Sequence, residues 1–163
     1  MLHTIALIVE NRPGVLIRIA GLFSRRGFNI DSLTVGATDN PDYSRMTITV
    51  DGDDVVLEQV SKQLNKLVNV IRVSELHPDE SVERELAMIK VAARKEDRSE
   101  IMQIVSVFRA KIIDVSPRSL IIEVTGSQDK VEAMVRLLRQ FGIKEMARTG
   151  KVSMVRGTRV VGP

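Results

Sequence analysis

The chain has 163 residues, enough for one domain or two small ones, with 24 Lys and Arg against 21 Asp and Glu and a net charge of +3. It has no cysteine, which excludes disulfides, thiolate metal sites and a cysteine nucleophile and fits a reducing, cytoplasmic setting. Aromatics make up only 3%, so the core must come from Val, Ile, Leu and Met, and neither an apolar run of membrane-spanning length nor a leader with a cleavage site is present.

Thr4 to Val9 is an apolar strand that runs into Glu10-Asn11-Arg12-Pro13-Gly14. The Pro-Gly turn opens a helix with Val15, Leu16, Ile19, Leu22 and Phe23 at helical spacing and Arg18, Arg25 and Arg26 largely on the wet side. Gly27 stops it. Ile30 to Thr38 is a second strand, Asp39-Asn40-Pro41-Asp42 a turn, and Met46, Ile48 and Val50 alternate with threonines in a third strand. Asp53 and Asp54 start a second helix with Val56, Leu57, Val60, Leu64 and Leu67 inward. Val70 to Leu76 closes the unit. Residues 77–85 are polar, contain Pro78 and read as a linker.

The plan then repeats. Leu86 to Ala92 is a strand, and Ser99 caps a helix with Ile101, Ile104, Val105 and Phe108 inward. Residues 110–115 occupy the place of 28–33, and Ser116-Pro117-Arg118 turns the chain into a strand from Ser119 to Thr125. A last helix carries Val131, Met134, Val135, Leu138 and Phe141, ends at Gly142, and a strand follows from Lys144. The expected fold is α+β, two ferredoxin-like βαββαβ modules in tandem, each an antiparallel sheet with two helices on one face. The modules are placed at 1–76 and 86–163. Strands with apolar residues of both parities, such as Ile5 to Val9, predict that the other face is also covered. An unpaired edge strand is an association site, which predicts a symmetric dimer.

The chemistry concentrates at the first turn. The first amides of a helix have no intrahelical partner and carry partial positive charge, so a carboxylate can sit there. Pro13 suits the first helical turn, and Gly14 lets a ligand approach the backbone. Asn11 and Asn29 each offer a donor and an acceptor. These groups are expected to gather around one spot that holds the carboxylate and amine of a small amino acid. The second copy has Ala93-Arg94-Lys95-Glu96-Asp97 instead of the Pro-Gly turn and Lys111 near the place of Asn29. It keeps the scaffold without the loop and is left to dock or dimerise.

The run Asn11-Arg12-Pro13-Gly14-Val15-Leu16, with Arg18 to Leu33 including Phe28-Asn29-Ile30, resembles the ACT domain of the acetolactate synthase small subunits. Gly142 to Gly150 with Arg156-Gly157 is similar to that family's C-terminal domain. The resemblance implies a regulatory subunit that binds and stimulates a large catalytic subunit, confers valine feedback inhibition in branched-chain amino-acid synthesis, and has no catalytic site or cofactor of its own. The catalytic partner would carry thiamine diphosphate, Mg and FAD. It further implies that ACT domains pair into a homodimer with valine at the pair interface. Asn11, Arg12, Pro13, Gly14, Val15 and Leu16 would hold valine from one chain, and Asn29 and Ile30 would approach from the other.

Other readings are weaker. Residues 1–78 hold eight basic and nine acidic residues, and 79–163 hold sixteen and twelve. The basic residues of the second half are interleaved with acids, and no aromatic pair is placed to stack bases, so no nucleic-acid partner is expected. His3 and His77 read as ordinary surface residues rather than metal ligands. Glu10 reads as a solvated residue or a contact for the ligand amine. A stand-alone amino-acid sensor for another partner, and an acylphosphatase-like enzyme, remain as alternatives.

Overall fold

The computed structural model describes residues 1–163, which form two compact units. One comprises Met1–Glu83 with Gly150–Pro163, the other Arg84–Thr149. The first contains β1 (Leu2–Glu10), α1 (Val15–Arg26), β2 (Ile30–Ala37), β3 (Tyr43–Asp51), α2 (Asp54–Asn65) and β4 (Val70–Leu76). Its sheet has the order β2-β3-β1-β4, with every pair antiparallel. This is the expected βαββαβ topology. Gly27 ends α1 at φ 70, a left-handed conformation that glycine adopts without strain. Asp53 caps α2 by accepting from the Val56 amide.

β1 is buried on both sides. Ile5, Leu7 and Val9 join Ile19, Phe23, Ile48, Val60 and Leu64 in the core under the helices. Thr4, Ala6 and Ile8 point the other way, yet they are also buried. The covering layer is the C-terminal segment. Arg45 Nη2 donates to the Ser153 carbonyl at 2.7 Å and Arg45 Nη1 to that of Val161 at 3.3 Å. Arg72 donates to the Gly162 carbonyl at 3.4 Å. Lys151 pairs with Glu83 at 3.1 Å, and Thr4 Oγ1 donates to the same carboxylate at 3.3 Å.

The division of the chain therefore differs from the expected 1–76, 77–85 and 86–163. Residues 77–85 are not an irregular linker. Pro78–Glu80 form a 3-10 turn, and β5 already begins at Ser81 and runs to Ala92. Gly150–Pro163, assigned from sequence to the second module, packs on the first sheet.

The second unit repeats the plan with most of β5, α3 (Arg98–Val107), β6 (Lys111–Val115), β7 (Ser119–Gly126), α4 (Gln128–Leu138) and β8 (Ile143–Arg148), in the order β6-β7-β5-β8. A last strand, β9 (Val152–Val155), belongs to the first unit and pairs with β5. Ala87, Ile89, Val91, Ile122, Met134 and Leu138 fill the second core. Ser99 is not the cap of α3. The cap position is Asp97, whose side chain makes no capping bond to the helix amides. Within this unit the sheet face away from the helices is open, with Met88 and Ile113 exposed.

Gly150 tests the covering layer. A Cβ there would stand 2.5 Å from Thr34 Oγ1 and 2.9 Å from the Leu33 carbonyl oxygen, whereas at Gly162 it would meet nothing within 4 Å. Gly150→Ala should lower stability by about 1–3 kcal/mol, the usual cost of overpacking, and Gly162→Ala should be close to neutral. Denaturant melts of the two variants check this. Equal midpoints would mean that the segment does not press on β2.

Candidate functional site

The site is built from the β1–α1 loop upward. β1 ends at Glu10, whose amide donates to the Asn69 carbonyl at 2.9 Å. Asn69 Nδ2 donates to Glu10 Oε2 at 2.9 Å and Arg18 Nη1 to Asn69 Oδ1 at 2.7 Å. Glu10 also pairs with Arg12 at 3.5 Å. Glu10 is thus already engaged, half-buried, in a network that ties the loop to the end of α2. Asn69 was not singled out from sequence. It lies in the short α2–β4 loop, where an Asn signals only a turn.

Asn11 is anchored from the other side. Its amide donates to the Asp42 carbonyl at 2.8 Å, and its Nδ2 donates to the Pro41 carbonyl at 2.9 Å. One of the two side-chain N–H groups is spent on this contact; the second and the carbonyl oxygen remain for a ligand. The β2–β3 turn that receives Asn11 is itself stiff. Thr38 Oγ1 donates to Asn40 O at 2.8 Å and Tyr43 O at 3.1 Å, and Asn40 Oδ1 accepts from the Asp42 amide at 3.0 Å.

Pro13 and Gly14 form a turn ahead of the helix rather than its first turn. Gly14 is the cap residue at φ 86, and no side chain caps the helix. The space where a Gly14 Cβ would lie is empty to 4 Å. The Val15 amide reaches the Arg12 carbonyl only at 3.4 Å, and the Leu16 and Ile17 amides have no intrahelical acceptor. Arg12, Pro13 and Gly14 are exposed and Val15 is buried. Leu16, at helical spacing with Val15 and Ile19, is 45% exposed, and the neighbouring Ile17 is 76% exposed. The loop therefore presents unpaired amides beside a bare apolar surface. That combination suits a small amphiphile with a carboxylate and an apolar side chain.

Asn29 and Ile30 are not at this spot. They follow the opposite end of α1, and a 12-residue helix spans about 18 Å. Asn29 is exposed, while Ile30 packs partly on the core at the start of β2. The expectation that one chain gathers both asparagines around one ligand fails, because a straight helix holds them apart.

The second unit lacks the corresponding feature. Arg98, the first residue of α3, donates to the carbonyls of Ser116 and Ala93, and Arg94 pairs with Asp97 at 3.0 Å. The chain's own cations occupy that helix start. His77 is the surface residue expected, whereas His3 is largely covered. Both approach Glu75, at 3.6 and 3.8 Å, and the His3 side chain is only 9% exposed. No group of three His, Asp or Glu is placed to hold a metal ion, and no helix is long and apolar enough to cross a membrane.

Two family models match in tandem. Residues 5–72 match the acetohydroxyacid synthase small-subunit-like ACT domain, and residues 84–157 match the model described as the small subunit of acetolactate synthase. A protein of Archaeoglobus fulgidus named "Probable acetolactate synthase small subunit" is 64% identical, covering 98% of this chain and 99% of its own. The acetolactate synthase small subunit of Mycobacterium bovis is 56% identical over 98% and 95%. The crystal structure of the acetolactate synthase small subunit from Thermotoga maritima superposes with a TM-score of 0.90 at 49% identity, covering 98% and 99%.

The contact from Asn11 to Pro41 is predicted to hold the loop shape. Asn11→Ala should cost about 0.5–1.5 kcal/mol, the net worth of one hydrogen bond, and speed exchange of the Arg12 and Val15 amides, which bond within the loop, while the rest of the first unit keeps its protection. Unchanged exchange there would show that the β2–β3 turn does not position the loop.

Proposed function

Because the chain belongs to the acetolactate synthase small-subunit family, we propose that it binds and stimulates the catalytic subunit of acetolactate synthase and makes it sensitive to valine. The observation that carries the effector reading is the uncapped helix start after Gly14, with its free amides and exposed Leu16 and Ile17. Valine's carboxylate would lie on the amides of residues 14–17, where the helix dipole favours negative charge. Its isopropyl group would cover apolar surface beside Leu16.

The remaining contacts come from a second copy. β2 pairs only with β3, so its other edge is free. α1 connects β1 to β2 and crosses over β3, which puts it on the β2 side of the sheet. Two copies joined antiparallel along β2 would set their α1 helices side by side and reversed. The start of one helix then meets the end of the other, and Asn29 and Ile30 of one copy approach residues 11–16 of its mate. The arrangement is isologous, so one dimer holds two equivalent sites. The 18 Å separation within a chain becomes the reason the effector and the dimer depend on each other.

In this reading the second unit takes no effector, because Arg94, Arg98 and Asp97 already fill its helix start. Regulation belongs to the first unit, and catalysis with its thiamine diphosphate belongs to the partner subunit.

Calorimetry and a coupled assay test the proposal together. Asn29→Ala should weaken valine binding about ten- to a hundredfold, since it removes hydrogen bonds to a charged group worth about 1.5–3 kcal/mol. Lys111→Ala, at the matching position of the second unit, should leave it unchanged. Both variants should still raise acetolactate formation by the co-purified catalytic subunit. Equal weakening by both variants would contradict the assignment of the effector to the first unit. No stimulation by the unmodified chain would contradict the regulatory reading.

A further inference from the structure

Four glycines and one other residue have a positive φ; the other is Arg109, at φ 53. A side chain is uncommon in that conformation and strained by its Cβ. The internal repeat shows what the position requires. Arg109 stands at the end of α3 where Gly27 stands at the end of α1. The same two bonds close both turns. Gly27 N–H donates to Ser24 O at 3.2 Å and Phe28 N–H to Phe23 O at 3.0 Å. Arg109 N–H donates to Ser106 O at 3.1 Å and Ala110 N–H to Val105 O at 2.9 Å. This helix stop ordinarily takes glycine, so the turn itself does not call for an arginine.

Nor does the fold use its side chain. The guanidinium is exposed and makes no hydrogen bond or ion pair. The negative end of α3 attracts a cation, but α1 meets that need with Arg25 and Arg26 in its last turn and keeps glycine at the stop. Val107, the last residue of α3, is 78% exposed, and Val115, at the end of β6, is 66% exposed. α3 packs beside β6, and β6 is an edge strand. Lys111 lies in register with Glu123 without forming an ion pair. The acid of β6, Asp114, already accepts from Ser116 Oγ at 3.3 Å. The corner thus presents two cations without partners beside uncovered apolar side chains.

Strain kept at a residue whose side chain the fold leaves free is a sign of function. Arginine beside apolar residues is the composition of an interface anchor. We propose that Arg109 docks the catalytic subunit, pairing with a carboxylate of that subunit while Val107 and Val115 pack on apolar side chains around it. The proposal rests on the regulatory reading and adds the residue through which the second unit takes part. A second copy fits the corner less well, because a two-fold contact centred there sets Arg109 and Lys111 against their own counterparts, and like charges oppose association. A carboxylate on a foreign surface matches the guanidinium through a bidentate, charge-assisted bond.

Arg109→Gly separates docking from folding, because it removes the side chain and relieves the backbone. The full-length variant should melt no lower than the unmodified chain and bind valine with unchanged affinity. The concentration that half-stimulates the catalytic subunit should rise about tenfold or more, as for a lost charged hydrogen bond. Arg109→Lys, which keeps the charge without the fork, should fall between the two. Arg136→Ala, at an exposed cation of α4, should change nothing. An unchanged half-stimulating concentration in Arg109→Gly, an equal rise in Arg136→Ala, a lower melting midpoint, or a smaller oligomer of the free Arg109→Gly variant in sedimentation would each overturn the proposal. No stimulation by the unmodified chain would instead overturn the regulatory reading, and the proposal with it.

Discussion

Much of the first unit follows from one constraint: β1 must be dry on both faces. Its six central residues, Thr4 to Val9, are all buried. A single layer of two helices can cover only Ile5, Leu7 and Val9. The opposite set, Thr4, Ala6 and Ile8, needs a second layer, and Gly150–Pro163 supplies it. With both faces of β1 taken by the unit's own chain, β2 stands as an edge strand beside α1, and the proposed dimer uses that edge.

The helix α1 then acts as a ruler. Its start is an uncapped turn with a left-handed glycine and free amides, and its end is a glycine stop followed by an exposed Asn29. Neither end alone encloses a small amino acid. In the proposed dimer, reversed pairing of two copies would complete both sites at once and make ligand binding and dimer geometry one equilibrium rather than two. The loop itself is held in advance by Asn11 on the β2–β3 turn and by Glu10 and Asn69 on the α2–β4 loop. Preorganisation of this kind reduces what the ligand must spend on ordering the backbone.

Hydrophobic period and cap chemistry make most of the fold readable in the sequence. Alternation in Met46 to Val50, helical spacing in Val15 to Phe23, and the stops at Gly27 and Gly142 are local signals, and the elements stand where those signals put them. The C-terminal segment was not readable in this way. It is held by arginine side chains donating to backbone carbonyls, and every residue has a carbonyl, so its sequence carries no mark of its destination. Residues 77–85 misled for a related reason. They are polar and contain Pro78, yet Ser81 is buried and begins β5. Leu16 shares the helical spacing of Val15 and Ile19 yet is exposed, because periodicity counts apolar residues without fixing the depth of each. The loop was legible as chemistry from Asn11, Pro13 and Gly14. Its separation from Asn29 was legible only from the length of the helix between them.

The central claim is that each effector site takes its loop from one chain and Asn29 from another. Mixed dimers of two inactive variants test it directly. Gly14→Asp places a carboxylate where the ligand's carboxylate sits, and Asn29→Ala removes the cross-chain contact, so each variant alone should bind valine poorly. When the two are unfolded together and refolded in equal amounts, half of the dimers should be mixed, and in a two-fold pair each mixed dimer carries one doubly altered site and one intact site. About a quarter of all sites should then bind valine with the unmodified affinity. No recovery above the separate variants, in mixed dimers shown to form, would mean that each site is made within a single chain and would contradict the account.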